Sequence, residues 1–535
     1  MAGARCDVLI VGGGTGGCAA ALAAGSMGLK VILTEETDWI GGQLTSQGVP
    51  ADEHPWIEQC GCTARYRQFR NRARDFYRRH TPLVPSLRGE DVLNPGGGWV
   101  SRLCIEPSVA WQVLEEMLAE VRVEVWLNTI PCGGTILSLT PGEAPPAAAD
   151  LSDGLVRSID LFDLRTGQVS TVEAEYFLDA TELGDLLPIT GTEYVVGAES
   201  GRTTSEAHAP AEASPANQQG FTWVFAMGFD PDHEHTIEKP SSYERWKAFT
   251  PPGWPGPLLG LADLDPQTNK PRQPALPLFS DDWRSWFRYR QIVDPGSFEP
   301  KFAPHPVTVV NWPQNDYFLS PLVDTPPAEQ ALHLAESREQ SLSLLYWLQT
   351  ECPREDGGLG YSGLFMAGAP MGTRDGFAKT PYIRESRRII ALKTIKEGEV
   401  SAAENPGLSV APPFADSVGI GAYRIDLHPS TAGDPYLDLS TLPFEIPLGA
   451  LIPPRMRNLL PACKNIGTTH ITNGCYRLHP VEWNIGESAG LLAASCLRHK
   501  TEPHGVAESS EAKAAFQSLL RSHGIAIHWP EFHAL

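Results

Sequence analysis

"CDVLIVGGGTGGCAAALAAGSMGLKVILTEE", residues 6–36, decides the fold. Residues 7–11 are an apolar run suited to a buried parallel strand. Gly12, Gly14 and Gly17 then give G-x-G-x-x-G. In such a turn the first glycine permits the tight bend, the second lets a pyrophosphate approach the backbone, and the third lets a helix sit close on the strand. The free N–H groups and dipole at the start of that helix favour phosphate. Residues 30–34 read as the second strand, and Glu35 follows 18 residues after Gly17, where an acid takes ribose hydroxyls. A glycine-rich turn in a purely structural βα unit needs no acid at that spacing. The stretch therefore predicts dinucleotide binding.

The next residues, "ETDWIGGQLTSQGVP" (36–50), bear on which dinucleotide. Gly41 and Gly42 open a second close backbone approach, and Gln43, Thr45 and Ser46 add hydrogen-bonding groups. That pattern suits a cofactor longer than NAD, with a ribityl chain and isoalloxazine beyond the pyrophosphate. A plain surface loop is the alternative reading of this segment.

A chain of 535 residues implies roughly two or three domains. A net charge of −22 argues against sequence-independent nucleic-acid binding, which needs a basic footprint. No apolar run approaches the ~18–20 residues of a membrane span. The start has one arginine and a short apolar strand broken by glycines, without a cleavage-like region, so a cytoplasmic location is expected. The ten cysteines form no zinc-like CxxC pairs, and no metal site is expected. Cys60 and Cys62, in "QCGC", are the one close pair and a candidate redox pair.

Further along, residues 65–80 predict a helix with Tyr66, Phe69, Ala73, Phe76 and Tyr77 inward. Its other face carries seven arginines, read as a solvated face or as an attractor for an anionic substrate. A helix is expected at 108–120, then a strand over 121–129. An antiparallel meander follows, with strands near 134–139, 155–162 and 170–178, and with "PGEAPPAAADLSDG" (141–154) as a loop. "YFLDATELGD" (176–185) returns the chain to the nucleotide-binding domain. Residues 190–440, rich in Pro and Trp, read as a second domain over the reacting end of the cofactor. Within them, a helix at 327–349 has Thr325 as cap and Pro326 in first position. The cluster "GTRDGFAKTPYIRESRRI" (372–389) reads as a salt-bridged helix start, with Tyr382 and Arg384 as its site candidates. The end of the chain holds one helix near 509–523, stopped by Gly524, then a tail.

The glycine fingerprint, "GGQLTSQG" (41–48), "DATELGD" (179–185), "PYIRESRRI" (381–389) and "GTTHITNGCYRLHPVEWNIGESAG" (467–490), in that order, resemble the FAD-dependent oxidoreductase (FAD_oxidored) family with a glutathione-reductase-type FAD-binding fold. The resemblance runs from residue 6 to about 530. It implies an α/β fold: a Rossmann-like parallel-sheet FAD-binding domain with an antiparallel β-meander, plus an inserted α+β substrate domain. The FAD domain would be discontinuous, 1–190 with 440–500. Residues 191–439 would form the substrate domain and 501–535 a C-terminal helix and tail. The implied cofactor is FAD, held by Gly12, Gly14, Thr15, Gly16, Gly17, Glu35, Glu36, Gly41, Gly42, Gln43, Thr45, Ala180, Thr181 and Asp185. The resemblance also places Asn484, Ile485 and Gly486 beside the flavin O2 and N1, at a helix start that would stabilise negative charge there. One departure is Glu182, which stands where related folds often carry the glycine of Ala-Thr-Gly. It puts the roles of Glu182 and Asp185 in question.

No second glycine fingerprint is present, so no dedicated NAD(P)H domain is expected. The favoured reaction is oxidation of a small-molecule substrate: a hydride passes from a C–H bond to flavin N5, a base takes an O–H or N–H proton, and O2 or another acceptor reoxidises the flavin. His479 is the expected base and Arg477 the expected holder of an anionic or carbonyl group, with His470 third. The structural alternatives are that His479 caps the turn before Pro480 and that Arg477 pairs with Glu482. The rival functions are a flavoprotein reductase or electron-transfer subunit served by a partner protein, and a flavin scaffold without turnover. Neither nucleic acid nor membrane is an expected partner, and the oligomeric state is not readable from these residues.

Overall fold

The computed structural model describes residues 3–139, 143–273, 275–280 and 284–530. The chain opens with strand β1 (Ala4–Val11), helix α1 (Thr15–Ser26) and strand β2 (Val31–Glu35). Helices α2 (Ala64–His80) and α3 (Pro107–Glu120) follow. Next come β3 (Glu124–Leu127), β4 (Thr129–Pro131), β5 (Ala149–Ser152), β6 (Leu155–Asp163) and β7 (Val169–Asp179). The central sheet runs β3-β2-β1-β7 in parallel, and the strand Leu459–Pro461 joins the far side of β7, also parallel. Val8, Leu9, Ile10 and Val11 are all buried, as a strand covered on both faces requires.

β7 ties the two halves of this layer together. Along one edge it pairs with β1, ending at Val11↔Asp179, and along the other it pairs antiparallel with β6. The meander is built differently from the expectation. No strand forms over 134–139; β4 and β5 pair with β6 instead. Gly133 turns the chain at φ +82, and Asp185 holds Thr135 by its backbone N–H and its hydroxyl. The expected strand 121–129 is broken at Asn128, which adopts φ 54. Residues 141 and 142 of the predicted loop and 531–535 of the predicted tail lie outside the described residues.

A second, antiparallel sheet lies in the intervening region: β9 (Gln291–Val293), β10 (Val307–Val310), β8 (Phe225–Phe229) and β11 (Leu364–Met366), in that spatial order. Helix α4 (Pro327–Thr350) packs with it around a separate core that contains Trp223, Trp246, Trp312 and Trp347. Thr325 does not cap α4. Its hydroxyl donates to the Pro321 carbonyl, and Pro326 is the cap residue. Thr325 stands one residue before the cap position, where its side chain does not serve the free N–H groups of the first turn.

The arginine face of α2 is also corrected. Arg70 and Arg74 are buried and ion-paired with Glu53 and Glu58, which fold back from the preceding loop. Arg65 pairs with Glu487 at 2.5 Å and Arg72 with Glu120 at 2.6 Å. These arginines are neutralised within the fold, so they form neither a solvated stripe nor an open anion attractor.

Near the end come α5 (His470–Tyr476) and α6 (His479–His499), then α7 (Ser510–Ser522), capped by the Ser509 hydroxyl. α6 crosses α1 in backbone contact. A Cβ on Gly486 would overlap the Gly16 carbonyl, and one on Gly490 would overlap that of Ala20. No helix among the described residues is long and apolar enough to cross a membrane.

Candidate active site

A cleft runs from Glu35 and Glu36, past Gly12, Gly14 and Gly42, to Ser46, Gln47 and Thr380. Gly12 sits at φ +100 directly against the Ala180 carbonyl, which a side chain would overlap. Thr15 donates its hydroxyl to the Gly41 carbonyl at 2.9 Å, and Gly41 N donates to Gly13 O at 2.7 Å, so the two glycine turns are locked face to face. Thr45 donates to Ile40 O at 2.6 Å and shapes the second turn from within.

Two acids stand at one end of the cleft. Glu35 accepts from Gly13 N at 3.1 Å and from Thr37 at 3.0 and 2.9 Å. Burial pushes its carboxyl up to about 8, and that of Glu36, which accepts from Ser138 N, up to about 7. At the other end Gln47 is buried, and neither its amide oxygen nor its nitrogen has a hydrogen-bond partner among the described residues. In the floor, Thr181 donates N–H and hydroxyl to Asp179, while Asp185 pairs with Arg387 at 2.9 Å. Both Thr181 and Asp185 line the cleft but are engaged by the protein itself. A glycine cradle, acids at one end and an unpartnered buried amide at the other fit an extended dinucleotide.

Asn484, Ile485 and Gly486 do not stand at a helix start. α6 begins at His479, with Pro480 in its first turn, so these residues lie one turn deeper. Asn484 accepts from Ile420 N at 3.2 Å and donates to Ser488, Ile485 is core, and Gly486 faces Gly16. Glu482 takes the place nearer the cleft. It accepts from Gly16 N at 3.2 Å and from Gln43 Nε2 at 2.7 Å, and burial pushes its carboxyl up.

Gln43 also donates to the Arg477 carbonyl at 2.9 Å, which leads from the cleft to a second polar group. Arg477 donates to the Tyr382 hydroxyl at 2.8 Å and to Asp426 O at 2.9 Å, and its buried Nε has no partner among the described residues. It pairs with Asp426, not with Glu482. His479 does not cap the turn: its Nδ1 accepts from Asp52 N at 3.0 Å, and burial pushes its pKa down to about 3. His470 lies apart from this pair, its Nδ1 2.9 Å from Glu385 and its ring in a neighbouring cavity of about 350 Å³ with His428.

Several residues enter the site that sequence reasoning missed. Arg290 approaches Asp52 at 3.5 Å, with Tyr289 and Tyr423 in electrostatic reach. Tyr289 is 39% exposed, yet burial raises its pKa, and partly exposed Tyr423 behaves alike. His428 has Nδ1 2.5 Å from Asp316 and Nε2 3.7 Å from Asp426. Asp316 is shared with Arg384 at 3.0 Å. The 372–389 cluster is salt-bridged as expected, but it starts no helix. Cys60 and Cys62 are partly buried, and burial raises both thiols, Cys62 to about 11, the opposite of thiolate activation. Among the described residues no group of three or more His, Cys, Asp or Glu could hold a metal ion.

Comparison with known proteins adds the family. No curated protein matches the chain. Among solved structures, the substrate-free rebeccamycin biosynthetic enzyme REBC aligns at 17% identity and TM-score 0.22, covering 43% of this chain and 40% of that one. THI4 of Thermovibrio ammonificans aligns at 15% and 0.22, covering 39% and 75%, and L-proline dehydrogenase of P. horikoshii at 15% and 0.18, covering 36% and 24%. The family model described as FAD dependent oxidoreductase matches residues 7–520, nearly the whole chain. The chain therefore belongs to the FAD-dependent oxidoreductase family, and FAD is its cofactor.

Proposed function

We propose that this enzyme oxidises a small organic substrate held beside Tyr382, Arg477 and Arg290, with FAD seated along the cleft from Glu35 to Gln47. The observation that carries the reading is one chain of hydrogen bonds, Gly16 N to Glu482 to Gln43 to the Arg477 carbonyl, which joins the glycine cradle to the backbone of Arg477. When bound, FAD supplies the hydride acceptor at N5 and passes the electrons to O2 or another acceptor. Gly12, Gly14, Thr15, Gly16, Gly17, Gly41 and Gly42 would present backbone to the pyrophosphate. Glu35 and Glu36 would meet the adenosine end, Gln43, Thr45 and Gln47 the flavin end, and Ala180, Thr181 and Asp185 the wall between. The 191–439 segment would cover the reacting end.

Arg477 orients a carbonyl or anionic group of the substrate, since its buried Nε–H has no hydrogen-bond partner among the described residues, and Arg290, ion-paired with Asp52 at 3.5 Å, adds positive charge beside it. Burial holds the His479 imidazole in its neutral form, and the ring acts by pinning the Asp52 backbone. The base is instead His428, whose Nδ1 is fixed by Asp316 and whose Nε2, 3.7 Å from Asp426, takes the proton. His470, held by Glu385, is a positioning residue beside it.

The test is an anaerobic screen of the purified holoenzyme with alcohols, amines, amino acids and glycosides, read as loss of flavin absorbance. Bleaching by one class supports substrate oxidation. Rapid, saturable bleaching by NADH or NADPH, or by a reduced partner protein alone, would replace it with the reductase or electron-transfer reading.

A further inference from the structure

The N-terminus of α1 faces two carboxylates of its own chain. Glu482 accepts from Gly16 N at 3.2 Å. Glu182 reaches between the two glycine turns: its Oε1 lies 3.0 Å from where a Cβ on Gly14 would stand and 3.1 Å from where one on Gly42 would stand. Thr15 N borders the same notch. Open backbone N–H groups at a helix start, together with the helix dipole, attract an anion, and here a carboxylate answers them. Glu182 is also ion-paired with Lys464, whose side chain is 1% exposed. A buried ammonium needs a negative partner, and this one has Glu182 in contact and Glu482 in electrostatic reach. Gln47, buried and unpartnered among the described residues at both amide atoms, lines the same cleft and marks it as built for a ligand.

We propose that Glu182 is an internal stand-in for the cofactor's diphosphate: the carboxylate and the diphosphate compete for one notch and for one ammonium. Cofactor entry then moves Glu182 out of the notch and transfers Lys464 to the diphosphate. Like charges at such spacing repel strongly in a low dielectric, so both cannot stay. Glu182 opposes FAD binding, Lys464 supports it, and their pairing keeps the ammonium in place until FAD arrives. This rests on the reading that the cleft seats FAD.

The experiment titrates cofactor-free protein with FAD, followed by quenching of flavin fluorescence, with ADP and riboflavin as competing probes. Glu182→Gln and Glu182→Gly should each bind FAD and ADP at least tenfold more tightly than the unmodified chain. Riboflavin, which has no phosphate, should bind all three proteins alike. Lys464→Gln should weaken FAD and ADP at least tenfold and leave riboflavin unchanged. If losing Glu182 leaves Lys464 unpaired and the fold unstable, the double variant Glu182→Gln/Lys464→Gln is compared with Lys464→Gln alone, and the same tenfold gain is expected. FAD and ADP binding that is unchanged or weaker without Glu182, in a chain that does bind FAD, overturns the stand-in and spares the cofactor reading. Failure of every protein, unmodified chain included, to bind FAD overturns both.

Discussion

The backbone N–H of Asp52 donates to Nδ1 of His479 at 3.0 Å, and this bond decides what the histidine can do. With Nδ1 an acceptor, the ring proton sits on Nε2. Burial then pushes the pKa down to about 3, which favours the neutral imidazole near neutral pH. Such a group is a poor base near neutral pH.

His479→Gln is therefore expected to keep the acid limb in the pH dependence of anaerobic flavin reduction. His428→Gln should slow reduction by ~10²–10⁴-fold, the usual worth of a positioned base. Stopped-flow reduction of both variants across pH checks this. Loss of the limb in His479→Gln would return the base to that residue.

Glu35 gives a pH prediction with a definite sign. Burial raises its folded pKa from 4.5 to about 8, so the folded chain holds this proton more tightly than the unfolded chain does. Its contribution to stability is fully present below about pH 4.5 and is lost as pH rises through about 8. Glu35→Gln removes that loss. In cofactor-free protein the variant should gain on the unmodified chain by at least ~1 kcal/mol between acid and mildly alkaline pH, since one pKa unit is worth about that much. Denaturant unfolding at the two pH values measures it, and a pH-independent difference would contradict the burial of a titrating Glu35.

Gly486 separates helix packing from cofactor contact. Its missing side chain lets α6 lie against the Gly16 carbonyl, so Gly486→Ala must push α1 and α6 apart. Overpacking of this kind costs ~1–3 kcal/mol. The loss should appear in the thermal unfolding of cofactor-free protein. Unchanged stability with weakened FAD binding alone would mean that the residue faces the cofactor after all.

The β1–turn–α1–β2 unit was legible because everything that specifies it is local: an apolar run, glycines at fixed offsets and an acid after the second strand. The start of α6 was misplaced by five residues because Asn484 and Gly486 look like a polar entry to an apolar helix, whereas Pro480 is the actual start signal. The arginines of α2 read as solvated because their partners, Glu53 and Glu58, lie outside the helix, in the loop before it. Arg290, Tyr423, Asp426 and His428 were out of reach for a stronger reason. They meet Tyr382 and Arg477 only through tertiary packing, and no periodicity or spacing marks them. Glu182 was visible as a departure from a motif, but its placement at the α1 terminus required the fold.

The central claim is that this chain carries FAD along the cleft from Glu35 to Gln47. The most direct measurement is chromatography of the small molecule released when the purified protein is denatured. The account predicts FAD, close to one per chain or reaching that ratio after incubation with FAD. Release of FMN or NAD instead, or no FAD uptake at all, would contradict it.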